Sequence, residues 1–145
     1  MKQIKHIGSY GLILENNKIL LIKKHGGPYD GKLDLPGGTI EYGEKPEETL
    51  VRELKEEVGI DVTSYTLFDG NSAFISWTHH EELEEITHIG FFYLINSYEG
   101  KIKDSNIIDS VNDDSMGASF YDIDSLKSDM LSSIANIEIN KLKTR

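Results

Sequence analysis

Residues 38–60 read GTIEYGEKPEETLVRELKEEVGI, and this stretch decides the fold. Within it, Glu53, Glu56 and Glu57 are spaced at i, i+3 and i+4, so on an α-helix they share one face. Three carboxylates on one face repel one another unless a positive group lies between them. Carboxylate oxygens suit Mg²⁺ or Mn²⁺, and the chain has no cysteine for a thiolate site. The spacing therefore predicts a helix that carries a divalent metal site.

The ends of this stretch predict a helix from Pro46 to Val58. Proline suits the first helical turn because its missing N–H is not needed there. Gly59 can adopt the left-handed conformation that commonly ends a helix. The apolar residues of the same segment form a stripe about a third of a turn from the glutamates: Leu50, Val51, Leu54 and Val58. We therefore expect one face of the helix in the core and another at a cleft.

The same residues resemble the Nudix box, G-x5-E-x7-R-E-U-x-E-E-x-G-U, where U is a bulky aliphatic residue. Every specified position is filled, by Gly38, Glu44, Arg52, Glu53, Leu54, Glu56, Glu57, Gly59 and Ile60. The resemblance implies an α/β fold, the α/β/α sandwich of Nudix hydrolases with a mixed β-sheet between helices. It covers the box strongly and residues 7–134 more loosely, and we expect one domain over residues 1–145.

An activity also follows from the resemblance: metal-dependent hydrolysis of a diphosphate bond in a nucleoside diphosphate linked to another group. It places Mg²⁺ or Mn²⁺ on Glu53, Glu56 and Glu57, with a backbone carbonyl at Gly37 or Gly38. Such an ion neutralises phosphates and acidifies a bound water. The alternative is a Nudix-like domain that senses a nucleotide without cleaving it. A complete box favours catalysis, because intact site geometry argues for function more strongly than fold does.

The resemblance leaves the proton acceptor open. Glu53 is the favoured residue of the box, because Arg52 can position it. Nudix enzymes often take a further carboxylate from a loop outside the box, and Asp113 and Asp114 lie where this chain could supply it. A glutamate of residues 81–85 is another alternative.

Arginine usage singles out Arg52. Of the 15 basic residues, only Arg52 and Arg145 are arginines, so a position that needed charge alone would more readily hold lysine. A guanidinium can hold a carboxylate through two hydrogen bonds and stays charged at any relevant pH. Since the matching arginine of the Nudix family orients box glutamates, we predict that Arg52 positions Glu44, Glu53 or both. A simple i, i+4 pair with Glu56 is the alternative.

Candidate substrate contacts precede the box. Lys24 ends a predicted strand, Lys32 follows a glycine-rich loop, and Gly37 begins the approach to the box. Exposed lysines more often only add solubility. Several aromatic residues are candidates for stacking on a base, although core packing is their commoner role: Tyr29, Phe74, Trp77, Phe91, Tyr93 and Tyr121.

Composition limits the partners. The 145 residues carry a formal net charge of −10, which argues against a nucleic-acid polymer as partner. A small nucleotide is acceptable if metal ions bridge its phosphates to the acidic protein. No apolar run approaches the ~18 residues of a membrane span, and the absence of cysteine fits a reducing compartment. We expect a cytoplasmic protein with no membrane partner, and a homodimer is one of the oligomeric states left open.

The rest of the chain is predicted to be mostly strands. Apolar runs indicate a hairpin at 11–14 and 19–22 and strands at 62–68, 73–77, 87–95 and 118–121. A charged loop is expected at 79–85, and its adjacent histidines, His79 and His80, are a weak metal candidate. Asp124 is expected to cap a helix that includes Leu126 and Ile134, followed by a basic tail from about residue 135.

Overall fold

The computed structural model describes residues 1–102 and 115–145, with only the backbone described at residues 115 and 116. Its strands are β1 (Lys2–Leu12), β2 (Leu14–Glu15), β3 (Lys18–Lys24), β4 (Leu33–Asp34), β5 (Gly37–Thr39), β6 (Asp61–His79), β7 (Glu82–Glu99) and β8 (Ser115–Asp122). Its helices are α1 (Pro46–Val58) and α2 (Ser133–Lys143), and two 3₁₀ turns, Ile123–Ser125 and Ser128–Met130, precede α2.

The strands form two sheets. The first has the order β5-β1-β7-β6, in which β1 and β7 are parallel and the other neighbours are antiparallel. In the second sheet, β2, β4 and β8 all pair antiparallel with β3. The predicted mixed sheet is therefore confirmed.

Strand β3 shows why the sheets lie between two helices. Its apolar run is buried on both faces, because successive side chains of a strand point to opposite sides. Ile19 and Leu21 join a core cluster with Ile134 and Ile139 of α2. Leu20 and Ile22 join a second cluster, which includes Leu50, Leu54 and Val58 of α1. One helix thus covers each side, as the α/β/α expectation requires.

Helix α1 has the predicted bounds, Pro46–Val58. The carboxylate of Glu48 accepts from the backbone N–H of Lys45 at 2.9 Å, which satisfies a donor at the helix start. At the other end Gly59 has φ 86°, the left-handed conformation expected of a C-cap. One member of the predicted apolar stripe is misplaced: Val51 is 40% exposed, because it lies at the edge of the buried face.

The long hairpin differs from the prediction in two respects. Residues 62–68 and 73–77 belong to the single strand β6, because the polar segment between them, residues 69–72, pairs with β7 in continuous register. The expected charged loop at 79–85 is a two-residue turn, with φ 50° at His80 and 64° at Glu81. Turns with two positive φ values match the twist of paired strands, so β7 already begins at Glu82.

The carboxyl-terminal helix was predicted too early in the chain. Ser132, rather than Asp124, caps α2 by accepting from the N–H of Ala135 at 3.2 Å. Leu126 packs in the core outside any α-helix. The expected basic tail from residue 135 is wrong, because residues 133–143 are helical and Ile139 is buried. None of the helices in the described ranges is long and apolar enough to cross a membrane.

Candidate active site

The box glutamates face β5 to different degrees. The side chains of Glu53 and Glu57 are 19% and 15% exposed, whereas that of Glu56 is 60% exposed. The hydroxyl of Ser9 on β1 donates to the carbonyl of Pro46 at 2.8 Å, which fixes the start of α1 against the first sheet. The helix therefore brings two carboxylates inward and leaves the third at the rim.

Arg52 holds the box glutamates together. Its Nε and Nη2 donate to Oε2 and Oε1 of Glu44 at 2.7 and 2.9 Å, a two-bond fork. Its Nη1 donates to Oε1 of Glu53 at 2.9 Å and to Oε2 of Glu56 at 3.3 Å. Nη2 also donates to the carbonyl of Thr39 at 3.2 Å. Both predicted partners, and the i, i+4 alternative, are thus present at one guanidinium.

Glu44 is an anchor for this arginine. The hydrogen bonds from Arg52 and Thr49 lower the pKa of Glu44 to about 2, so the carboxylate is charged at neutral pH. Arg52 in turn is held with its Nε and Nη2 on Glu44 and its Nη1 on Glu53. This arrangement fixes the orientation of Glu53 and gives Glu44 no proton to exchange near neutral pH.

The backbone of β5 lies directly against the inward glutamates. The N–H of Gly37 donates to Oε1 of Glu57 at 2.9 Å. Gly37 has φ 143°, and a Cβ there would lie 2.1 Å from the carbonyl oxygen of Ser9. At Gly38 a Cβ would lie 2.7 and 2.8 Å from the two carboxylate oxygens of Glu53. Only glycine allows the backbone to approach both carboxylates so closely.

The pKa of Glu57 is shifted in the direction opposite to that of Glu44. Burial raises its pKa to about 7, opposed by Lys24 and by the Gly37 N–H, while Glu53 and Asp34 raise it further. The Lys24 ammonium lies 3.9 Å from Oε2 of Glu57. A carboxyl group whose pKa is raised to near neutral has too little positive charge nearby to stabilise its ionised form. A cation at this position would supply that charge.

The donor set fits a hard divalent cation. Glu53, Glu57 and the β5 backbone offer oxygen ligands next to a space that a Cβ would fill. Across residues 1–102 and 115–145, no three His, Asp or Glu side chains are already arranged as metal ligands. The reason is local, because Arg52 draws Glu53 and Glu56 towards itself. Binding of the ion would require the exposed Glu56 carboxylate to turn from the arginine towards β5, since the Glu53 carboxylate already lies against Gly38.

A cavity of about 490 Å³ adjoins the box, a size usual for small-molecule sites. It lies between the first sheet, which includes β5, and the loop that joins β3 to β4. Its lining includes Ile4, His6, Tyr10, Lys24, Tyr29, Asp34, Gly37, Gly38, Ile75, Ile86 and His88. Gly37 and Gly38 border both the cavity and the box glutamates. A group bound in the cavity would therefore lie next to a group bound at the glutamates.

The predicted substrate contacts fall in different places. Lys24 and Gly37 line the cavity, whereas Lys32 donates to the backbone carbonyl of Asp129 and does not. Asp113 and Asp114 lie outside the described residues. Of the six aromatic candidates, Tyr29 lines the cavity. The others do not; Trp77, for example, stacks on His79 near the hairpin turn, with ring centroids 4.7 Å apart.

Sequence reasoning missed a polar cluster in the cavity wall. Tyr10 and His88 are buried and hydrogen-bonded to each other at 2.6 Å, and Asp34 is 2% exposed. A signal was available for two of them, because His88 and Asp34 each interrupt an apolar run. Tyr10 gave no such signal, because a tyrosine within a strand is usually interpreted as a core residue.

The comparisons with known proteins agree with this geometry. A sequence profile described as the NUDIX domain matches residues 5–137. The chain belongs to the NUDIX family. Its fold is shared with the crystal structure of a MutT NUDIX hydrolase from Burkholderia pseudomallei. That match has a TM-score of 0.75 and 25% identity, and it covers 94% of this chain and 96% of the other.

Curated relatives are similar over shorter stretches. An ADP-ribose pyrophosphatase of Methanocaldococcus jannaschii is 54% identical over 50 residues, which is 34% of this chain and 30% of that protein. An 8-oxo-dGTP diphosphatase of Escherichia coli is 46% identical over 56 residues, 38% of this chain and 43% of that protein. The chain thus spans less than half the length of either relative.

Proposed function

We propose that this NUDIX protein hydrolyses a diphosphate bond in a nucleoside diphosphate linked to another group, with Mg²⁺ or Mn²⁺ as cofactor. The observation that carries the proposal is the position of Glu57. This mostly buried carboxylate accepts from the Gly37 N–H beside Glu53 and at the border of a cavity of small-molecule size. Anionic phosphates could lie there only with added positive charge, because the surrounding carboxylates repel them.

In this proposal Glu53, Glu56 and Glu57 hold the metal, together with the carbonyl of Gly38. When bound, the ion neutralises the phosphates and lowers the pKa of a water ligand. Glu56 lies at the exposed rim, so it would complete the site from the solvent side. Glu53 and Glu57 provide the fixed inner side, because each is held by a neighbouring hydrogen-bond donor.

Arg52 acts as a positioning residue in the proposed reaction. It holds Glu53 in place and pairs with Glu44, which serves as its anchor. Glu53 is our candidate for the proton acceptor, since it is both oriented by Arg52 and adjacent to β5. Lys24 is our candidate for a phosphate contact, because its ammonium lies at the border between the glutamates and the cavity.

The substrate is proposed as a small nucleotide rather than a nucleic-acid polymer. The two relatives are named for ADP-ribose and 8-oxo-dGTP, so both compounds belong in the first screen. A net charge of −10 supports the choice of a small ligand. The cytoplasmic location expected from composition stays a prediction, as does a homodimer.

A hydrolysis screen with Mg²⁺ and Mn²⁺, in which the reaction products are separated by chromatography, tests the proposal. The screen covers ADP-ribose, 8-oxo-dGTP, dinucleotides and sugar nucleotides, and compares the native chain with Glu57→Gln. We expect turnover by the native protein and a loss of at least ~100-fold in the variant. Glu47→Gln is the matched control, since Glu47 is on the same helix but outside the glutamate cluster.

Either of two results would reject hydrolysis. The first is the absence of turnover with any of these nucleotides at either metal ion. The second is equal turnover by Glu57→Gln and the native chain. If nucleotides bind without being cleaved, the sensing domain is the better description.

A further inference from the structure

A chain of hydrogen bonds links Tyr10, His88 and Tyr29 in the cavity wall. The Tyr10 hydroxyl lies 2.6 Å from Nε2 of His88, and the Tyr29 hydroxyl lies 2.9 Å from Nδ1. Tyr10 and His88 are buried on neighbouring strands, whereas Tyr29 reaches the same imidazole from the loop between β3 and β4. Three distant parts of the sequence therefore converge on one ring.

The position of the ring is fixed by its neighbours. His6 stacks on His88 with ring centroids 4.5 Å apart and an interplanar angle of 19°. His6 is itself held by Thr39, whose hydroxyl lies 2.7 Å from its Nε2. With both nitrogens bonded and one face covered, His88 has little freedom to rotate.

The protons in this chain can be assigned from chemistry. Burial lowers the pKa of His88 to about 3, so the imidazole is neutral and has a single N–H. Among the described residues, the Tyr10 hydroxyl has no hydrogen-bond partner other than His88 Nε2. A buried donor left without an acceptor costs about 1–3 kcal/mol, so Tyr10 donates to Nε2. His88 must then donate through Nδ1–H to the oxygen of Tyr29.

Because the Tyr29 oxygen accepts from His88, the hydroxyl proton of Tyr29 can be donated to another acceptor. Ser133 is a second neighbour of Tyr29, and its hydrogen bond lowers the pKa of that phenol, as a donor to the oxygen does. Burial and the Asp34 carboxylate outweigh this effect and raise the pKa of Tyr29 overall, so the phenol stays protonated. No hydrogen bond joins Tyr29 to Asp34 among the described residues, and Asp34 Oδ1 accepts from Ser132 Oγ and from the N–H of Leu35.

We propose that Tyr29 is a specificity-determining residue, whose hydroxyl donates to an acceptor atom of a nucleobase bound in the cavity. This inference rests on the proposed function. A flat base fits because Ile4, Ile75 and Ile86 supply apolar walls. A sugar would fit less well, because its several hydroxyls would meet aliphatic side chains without hydrogen-bond partners. The adjoining Gly37 and Gly38 place the attached phosphates at the glutamates.

The kinetic test measures base recognition separately from bond cleavage. Native protein and Tyr29→Phe are assayed with 8-oxo-dGTP and ADP-ribose, and with the matching base-free compounds, 2-deoxyribose 5-triphosphate and the diphosphate of two riboses. We expect the ratio of kcat/KM for nucleotide over base-free compound to fall about tenfold in Tyr29→Phe. Tyr65→Phe is the matched control, because Tyr65 makes an edge-to-face contact with Tyr93 outside the cavity. An unchanged ratio in Tyr29→Phe would overturn the proposal.

The second test needs no turnover. Two-bond ¹⁵N–¹H spectra of the protein without ligand report which His88 nitrogen carries the proton at pH 7. We expect an Nδ1–H tautomer, which changes in Tyr10→Phe because Nε2 loses its donor. An Nε2–H tautomer or a charged imidazole in the native protein would overturn the assignment. If no nucleotide is hydrolysed, the proposed function fails by itself, whereas the spectra still decide the proton assignment.

Discussion

Arg52 binds Glu44 through two parallel hydrogen bonds, from Nε at 2.7 Å and Nη2 at 2.9 Å, while Nη1 holds Glu53 at 2.9 Å. One residue of the pair lies in the loop before α1 and the other on its second turn. The pair therefore joins the loop to the helix and sets the direction of the carboxylate proposed for catalysis. A point charge could balance Glu44, but it could not hold both carboxylates in fixed positions.

Arg52→Lys should keep the charge and lose this geometry. We expect turnover of the best nucleotide from the screen to fall by about 10- to 100-fold, with little change in Tm. Steady-state kinetics and thermal unfolding measure the two effects. Arg145→Lys is the control, because the only other arginine lies over the Phe68 ring, 5.9 Å from its centroid. Native turnover in Arg52→Lys would show that the fork is irrelevant.

Gly38→Ala should disturb Glu53 without removing it. The added Cβ would lie 2.6 Å from the carboxyl carbon of Glu53, so that side chain must move. A displacement of about 1 Å near the reacting atoms can cost on the order of 100-fold, and we expect a loss of that size in kcat. Gly70→Ala is the control, since its nearest neighbour would be 4.0 Å away. Equal activity in the two variants would argue against a role for Glu53.

Metal binding should stabilise the folded protein. An ion that binds only the folded state adds about 2.7 kcal/mol at 100 times its Kd, so Mg²⁺ should raise Tm and EDTA should reverse the rise. The increase should be much smaller in Glu57→Gln, which removes the buried charge. Thermal unfolding at constant ionic strength, with KCl replacing MgCl₂ as the control, separates specific binding from screening. The same rise in native and variant proteins would place the metal elsewhere.

Glu138 should make stability depend on pH. It is fully buried on α2, next to the side chain of Asp69. Burial and the nearby Asp69 carboxylate raise its pKa from 4.5 to about 8. Since the folded state binds the proton more tightly than the unfolded state, this stabilisation is complete below about pH 4.5 and is lost as the pH rises through about 8.

Urea unfolding at pH 5, 7 and 9 tests this effect, in EDTA so that metal does not contribute. Between pH 5 and 9, we expect the free energy of unfolding of the native protein to fall relative to Glu138→Gln by on the order of 1–2 kcal/mol. This is less than the full pKa shift would give, because Lys141 and Asp69 reach solvent and screen the charge. Parallel pH profiles would mean that Glu138 is ionised in the folded protein throughout this range.

Sequence patterns correctly predicted those features that depend on a single segment of the chain. The bounds of α1 followed from Pro46 and Gly59, and the choice of Arg52 as the organiser of the box followed from its rarity and its fork. The start of α2 was misjudged because several residues can cap a helix, and packing in the core favoured Ser132 over Asp124. Strand β6 was predicted as two strands because residues 69–72 have the composition of a turn, although they pair with β7.

The sequence by itself determined the family, the helix that carries the glutamates and the chemistry these residues can support, because all of these depend on spacing within about 20 residues. The tertiary structure alone decided which groups surround them. Burial against β5 and the approach of Lys24 perturb the pKa of Glu57, and Tyr10, His88 and Tyr29 meet in the wall of the cavity. Contacts between segments 59 to 78 residues apart leave no local pattern, since they arise only when the strands pair and the loop folds over them.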